Sequence, residues 1–124
     1  MRLLLDTHVV IWWLEASPRL RDETREAIAQ AADVFVSAVS AVEIAAKTAI
    51  GKLSTPDDFA ERIAAHSMIE LPVIVRHGLA LQDLPLHHRD PFDRLLIAQA
   101  RCEGLTIVTN DRAFTAYDVA ILAA

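Results

Sequence analysis

Four acidic residues in this chain carry the types and placements that divalent-metal chemistry needs. Asp6 follows Leu3-Leu4-Leu5, Glu43 follows Ser37-Ala38-Val39-Ser40, Asp93 lies in Asp90-Pro91-Phe92-Asp93-Arg94, and Asp111 follows Ile107-Val108-Thr109-Asn110. Each sits where an apolar or small-residue run gives way to a helix start. In an open α/β sheet such strand ends converge on one crevice, where ligands bind. Carboxylates gathered there repel one another, so the cluster calls for a cation. All-oxygen ligation suits Mg²⁺ or Mn²⁺ rather than zinc or copper. One ion, or a pair about 3.5–4 Å apart, can activate water and stabilise the leaving oxygen of an in-line displacement.

Helix capping is the plainer account of each acid. A carboxylate in a first helical turn meets the positive end of the helix dipole. Ser40-Ala41-Val42-Glu43 spells a capping box, with Glu43 reaching back to Ser40. Asp90 is placed to cap the helix that carries Asp93. Thr55-Pro56-Asp57-Asp58 repeats the layout of Asp90-Pro91-Phe92-Asp93 and is assigned no chemistry. The two roles are compatible, because a helix N-terminus favours the ionised form that a metal requires.

The elements that must position these residues follow from the hydrophobic pattern. Leu3–Leu5 reads as a short buried strand, and His8–Glu15 as a helix made strongly apolar by Trp12 and Trp13. Ser17-Pro18 opens an amphipathic helix over Arg19–Ala32. A second strand spans Val34–Val36, and a helix over Ser40–Ile50 is closed by Gly51. Thr55-Pro56 opens a helix over Asp57–His66, and Met68–Val73 is a weaker strand containing Pro72. A short helix covers Arg76–Gln82 and a loop covers Leu84–Arg89. Asp90-Pro91 opens the helix Phe92–Glu103, ended by Gly104. A strand at Leu105–Thr109, a helical turn at Arg112–Ala116 and a last strand at Val119–Leu122 complete the chain. This alternation predicts a parallel sheet with helices on both faces.

The 124 residues, 53% of them apolar, fit one domain over 1–124 with a real core. The single cysteine, Cys102, allows no intramolecular disulfide and fits a reducing compartment. Asp6 interrupts the opening apolar stretch too early for a secretory signal. No uncharged apolar run approaches the roughly 18 residues of a membrane span. The expectation is a cytoplasmic protein with no membrane partner. The net charge of −5 is unlike an ordinary basic nucleic-acid binder. Without the four site acids the charges nearly balance, and a bound divalent ion removes the repulsion of a phosphate backbone. Arg89, Arg94 and Arg112 lie close in sequence to two of the acids and are candidates to hold phosphate.

The ordered set Leu3-Leu4-Leu5-Asp6-Thr7-His8, Ser37-Ala38-Val39-Ser40-Ala41-Val42-Glu43-Ile44, Asp90-Pro91-Phe92-Asp93-Arg94 and Thr106-Ile107-Val108-Thr109-Asn110-Asp111 resembles the PIN-domain ribonucleases. The likeness is closest to the VapC toxins of type II toxin–antitoxin systems and covers essentially the whole chain. It implies a three-layer α/β/α fold around a mostly parallel sheet of about five strands. It implies Mg²⁺- or Mn²⁺-dependent hydrolysis of RNA leaving 5′-phosphate and 3′-hydroxyl ends. A cognate VapB-type antitoxin and a homodimer are implied with it. By the same resemblance Asp6 and Asp93 are the main metal ligands. Glu43 ligates directly or through water, Asp111 is the fourth acid, and Thr7 and Asn110 support the ligands through hydrogen bonds.

Other residues tempt without a matching constellation. His87-His88 suggests zinc, but adjacent histidines on a loop point apart and no cysteine cluster accompanies them, so RNA contact or solvent exposure is the expectation. His8 is neither a clear ligand nor a base. Trp12 and Trp13 diverge by about 100° on a helix, so one is core and the other is free for an interface. A haloacid-dehalogenase-like phosphatase needs a second Asp two positions after Asp6, where this chain has His8. A receiver domain needs an acidic pair at the first strand end and a late lysine, but the last lysine is Lys52. A non-catalytic RNA-binding or interaction module on the same fold is the remaining alternative.

Overall fold

The structure is a computed structural model and describes residues 1–55 and 57–124. Five parallel strands form one sheet in the order β3-β2-β1-β4-β5. They are β1 (Arg2–Leu5), β2 (Asp33–Ser37), β3 (Ile69–Leu71), β4 (Thr106–Thr109) and β5 (Ile121–Ala123). Among the described residues, six helices connect and cover them: α1 (Thr7–Leu14), α2 (Asp22–Gln30), α3 (Ala38–Ala49), α4 (Phe59–Ala65), α5 (Val75–Leu79) and α6 (Pro91–Glu103). Short 3₁₀ turns occupy Ala80–Asp83 and Arg112–Ala116.

The sheet is buried on both faces, as parallel sheets require. Successive residues of a strand point to opposite faces. Leu4 packs with Val39, Leu96, Ile97, Ile107 and Phe114 on one side. Leu3 and Leu5 pack with Val9, Val10, Trp12, Ile28 and Val108 on the other. All three leucines are fully buried, which is why β1 reads as an unbroken apolar run. The strand order reverses between β1 and β4. A crevice therefore opens beyond their carboxyl ends, where Asp6 and Asp111 lie. Among the described residues no helix is long and apolar enough to cross a membrane.

Three expected helix starts differ from the observed ones. Ser17-Pro18 does not open α2. Ser17 Oγ accepts from Arg19 N at 3.2 Å, and buried Leu20 anchors this turn. The helix begins at Asp22, where Asp22 and Glu23 face the positive end of its dipole. Ser40 does not cap α3 and the capping box with Glu43 does not form. Pairing of β2 with β3 runs through Ser37, opposite Leu71, so the strand hands directly to the helix. Ser37 is the N-cap, its Oγ accepting from Val39 N at 3.0 Å. For the third helix, Pro56 lies outside the described residues, and α4 starts at Phe59 rather than Asp57.

The strand expected over Met68–Val73 contracts to three residues at the sheet edge, ending before Pro72, which has no N–H to donate. The last strand is Ile121–Ala123 rather than Val119–Leu122, because Val119 N is taken by Tyr117 O at 3.0 Å in the preceding turn. By contrast, α6 matches its local signals. Asp90 Oδ1 accepts from Phe92 N at 2.8 Å and Asp93 N at 3.3 Å, Pro91 fills the first turn, and Gly104 ends the helix with φ +67°.

Candidate metal centre

Asp6 is the N-cap of α1 and is buried, with 5% exposure. Its Oδ1 accepts from Thr7 N at 2.7 Å and its Oδ2 from Thr109 Oγ1 at 2.7 Å. Thr109, on β4, was absent from the sequence-derived site. Its hydroxyl also accepts from Asp111 N at 3.0 Å, so one side chain ties the Asp6 carboxylate to the segment carrying Asp111. Thr7 and Ser40 share a buried hydroxyl–hydroxyl bond of 2.9 Å that joins the start of α1 to α3. Thr7 thus meets Asp6 through its backbone N–H and Ser40 through its hydroxyl. Asn110 is exposed, and its side chain makes no hydrogen bond among the described residues.

Glu43 lies in the second turn of α3 and is buried, with 3% exposure. Lys47, one turn on, donates from Nζ to Glu43 Oε2 at 2.5 Å. Among the described residues Glu43 Oε1 is buried without a hydrogen-bond partner. A buried carboxylate oxygen left unpaired costs free energy unless something cationic or hydrogen-donating meets it. Lys47 is also missing from the sequence-derived site. Its i,i+4 spacing from Glu43 was the available signal.

Asp93 shares this environment. Its carboxyl is pushed up to about 7, mainly by burial, then by the negative charges of Asp6 and Asp90, with Glu43 adding to them and His88 opposing. Burial likewise raises the Asp6 carboxyl, against the lowering effect of the Thr109 and Thr7 hydrogen bonds and of His8, with Glu43 raising it further. The charges of Asp6 and Glu43 thus bear on Asp93, and that of Glu43 on Asp6. Like charges packed this way disfavour their ionised forms until a cation arrives.

Asp111 sits at the rim, its side chain 43% exposed. Its Oδ1 caps the following turn by accepting from Ala113 N at 2.9 Å. Its Oδ2 lies 3.6 Å from His88 Nε2, which is 2.8 Å from Asp93 Oδ2. The closer approach lacks hydrogen-bond alignment, and Nε2 is buried without a formal partner. His88, Asp93 and Asp111 each offer one ligand atom, all within 4.8 Å of one another, a spacing compatible with a shared metal ion. His88 Nδ1 lies 3.5 Å from Asp90 N, and Nε2 faces the two carboxylates. His88 thus belongs to the acid cluster rather than to open solvent. His87 points away and packs edge-on against Tyr117.

The three arginines part company. Arg94 Nη1 donates to Pro85 O at 2.8 Å and Tyr117 Oη at 3.2 Å, while Nη2 donates to Leu81 O and Leu84 O, both at 3.3 Å. A guanidinium committed to four acceptors holds the loop that carries His88 and is not free to take phosphate. That expectation is corrected here. Arg89 and Arg112 are exposed. Arg112 lines a cleft of about 320 Å³ with Arg21, Asn110 and Asp111. Of the two tryptophans, Trp12 is core. Trp13 is half-buried and held by its own chain, through His66 Nδ1 at 3.3 Å and the Arg25 guanidinium over its ring.

The sequence model of the PIN domain matches residues 3–120. Ribonuclease VapC22 of Mycobacterium tuberculosis (strain ATCC 25618 / H37Rv) is 33% identical over 118 residues, covering 89% of this chain and 87% of that protein. Among solved structures, VapBC2 from Rickettsia felis bound to a DNA fragment from its promoter superposes with a TM-score of 0.71 at 14% identity, covering 99% of this chain and 98% of that one. VapBC-5 from Mycobacterium tuberculosis, a member of the VapBC family of toxin–antitoxin systems, gives a TM-score of 0.61 at 24% identity with the same coverage.

Proposed function

This chain belongs to the PIN-domain family, in its VapC group, and we propose that it is an Mg²⁺- or Mn²⁺-dependent endoribonuclease, the toxin of a toxin–antitoxin pair. One observation carries the reading: Glu43 Oε1 is buried, unpartnered and electrostatically coupled to Asp6 and Asp93. The donors fit a hard divalent ion, since buried Asp6 and Glu43 and half-buried Asp93 supply carboxylate oxygens and negative charge. Asp6, Glu43 and Asp93 would hold it, with Asp111 at the rim. A divalent ion in such a site lowers the pKa of water and offsets charge on a scissile phosphate.

The rest is done by this chain's own groups. Thr109 and the Thr7 amide orient both oxygens of Asp6. The Ser40–Thr7 bond fixes α3, and so Glu43, against the start of α1. His88 presents Nε2 between Asp93 and Asp111, where it can donate to whichever oxygen a bound ion leaves free. Arg89 and Arg112, exposed and next in sequence to Asp90 and Asp111, can take phosphates of an RNA strand. The relative's name, ribonuclease, supports RNA as the substrate. The structural relatives are VapBC proteins, matched in fold, which supports a VapB-type antitoxin as partner. A homodimer and a cytoplasmic setting complete the proposal.

The test is cleavage of total RNA by the purified, antitoxin-free protein with Mg²⁺, with Mn²⁺ and with EDTA. Cleavage that requires the ion, and products ending in 5′-phosphate and 3′-hydroxyl, are expected. Cleavage indifferent to chelation overturns the mechanism. RNA binding with no cleavage under any ion favours the non-catalytic module instead.

A further inference from the structure

Lys47 and Glu43 divide the two oxygens of one buried carboxylate. Nζ holds Oε2 at 2.5 Å, and Oε1 is left unpartnered with almost no solvent access. The pair is built into α3 at i,i+4 with the acid N-terminal, the favourable order. The lysine reaches in from the surface, its side chain 37% exposed against 4% for the acid.

Resting on the reading that Glu43 faces the ion, we propose that Lys47 sets the metal preference of the site by limiting Glu43 to one-oxygen ligation. Mg²⁺ and Mn²⁺ suit sites in which a carboxylate gives one oxygen. Ca²⁺ takes six to eight oxygens and readily accepts both oxygens of one carboxylate. With Oε2 occupied by the ammonium, the two-oxygen mode is closed, and Ca²⁺ loses a ligand that Mg²⁺ does not need. The device excludes the wrong ion by occupying its ligand, which is specificity by blocking as well as by fit.

Three effects of removing Lys47 are separable by calorimetric titration of the full chain with Mg²⁺, Mn²⁺ and Ca²⁺ in the absence of RNA. If Lys47 acts as a gate, Lys47→Met improves Ca²⁺ affinity several-fold relative to Mg²⁺. The same substitution in a Glu43→Gln background leaves the ratio unchanged, because no second carboxylate oxygen exists to be released. Should Lys47 only prop Glu43, both affinities fall together. Should it only repel cations, both rise together. Either parallel change overturns the inference. A protein that binds none of the three ions at any concentration tested overturns the underlying reading of the site instead. Circular dichroism confirms that each variant folds, and Lys47→Gln repeats the measurement if the methionine variant does not.

Discussion

Thr109 Oγ1 stands between two acids of the crevice, donating to Asp6 Oδ2 at 2.7 Å and accepting from Asp111 N at 3.0 Å. The pair Thr109–Asp6 closes the carboxyl ends of β4 and β1 across the point where the strand order reverses. A valine at 109 keeps the shape and removes both functions of the hydroxyl. Thr109→Val is expected to cost about 1–3 kcal/mol, the usual penalty for a buried partner left unpaired. It should also weaken divalent-ion binding, because Asp6 Oδ2 loses its orientation. Urea denaturation and a metal titration check the two effects, and a variant as stable as the parent with unchanged affinity contradicts them.

Asp6→Asn and Asp93→Asn are expected to abolish ion-dependent cleavage, and metal-free Asp93→Asn to melt no lower than the parent, whereas Asp6→Asn also gives up the oxygen that accepts from Thr109 Oγ1. Each removes a negative charge from a buried cluster whose members repel one another. The amide retains an acceptor for the Thr7 N–H at position 6. Thermal melts without metal, paired with RNA cleavage assays, decide the matter. Full cleavage by either variant removes that residue from the ligand set.

Asp93 gives the metal-free protein a defined pH signature. Its folded-state carboxyl titrates at about 7, against roughly 3.9 for an unfolded aspartate. Between those values the folded state holds a proton that the unfolded state has lost. The contribution of Asp93 to stability therefore falls as pH rises from about 4 to about 7, and is level above that. A divalent ion takes the place of the proton, so the melting-temperature gain from Mg²⁺ should be larger at pH 8 than at pH 5.5. In Asp93→Asn the corresponding part of the slope disappears. An identical pH dependence of melting in parent and variant rejects the assignment.

Gln99 holds the back of the site. Fully buried on α6, it accepts from Ser37 Oγ at 2.5 Å and donates to Pro72 O at 3.2 Å and His77 Nδ1 at 3.3 Å. His77, equally buried, passes the chain to Glu103 at 2.9 Å, and Glu103 also receives Arg76 at 2.6 Å. These bonds pull the Glu103 carboxyl below its usual range, that of His77 most strongly. Gln99→Leu strands several buried groups, each at about 1–3 kcal/mol. It also loosens Ser37, the cap of the helix that carries Glu43. A loss of at least about 2 kcal/mol in denaturant melts is expected, with weaker Mg²⁺ binding. A neutral substitution contradicts the network's role.

Signals confined to neighbouring residues were legible in the chain itself. Leu3–Leu5 had to be a strand buried on both faces, and Asp90-Pro91 with Gly104 had to bracket a helix, because capping, φ restriction and left-handed termination act over a few residues. The same locality brought Asp6, Glu43, Asp93 and Asp111 forward as the residues worth attention. Where two local solutions competed, sequence could not choose. Ser37 and Ser40 are both adequate caps, and the choice fell to Ser37 because pairing with Leu71 carries β2 that far. Partnerships between remote positions were wholly a matter of tertiary structure. Thr109 meets Asp6 across 103 positions, and Arg94 is drawn from the phosphates to the carbonyls of its own loop. His88 reaches Asp93 from an adjoining loop, and the single free oxygen of Glu43 appears only once α3 is packed. Composition sets which groups a chain owns. Which of them end up dry, charged and facing one another depends on how strands and helices pack.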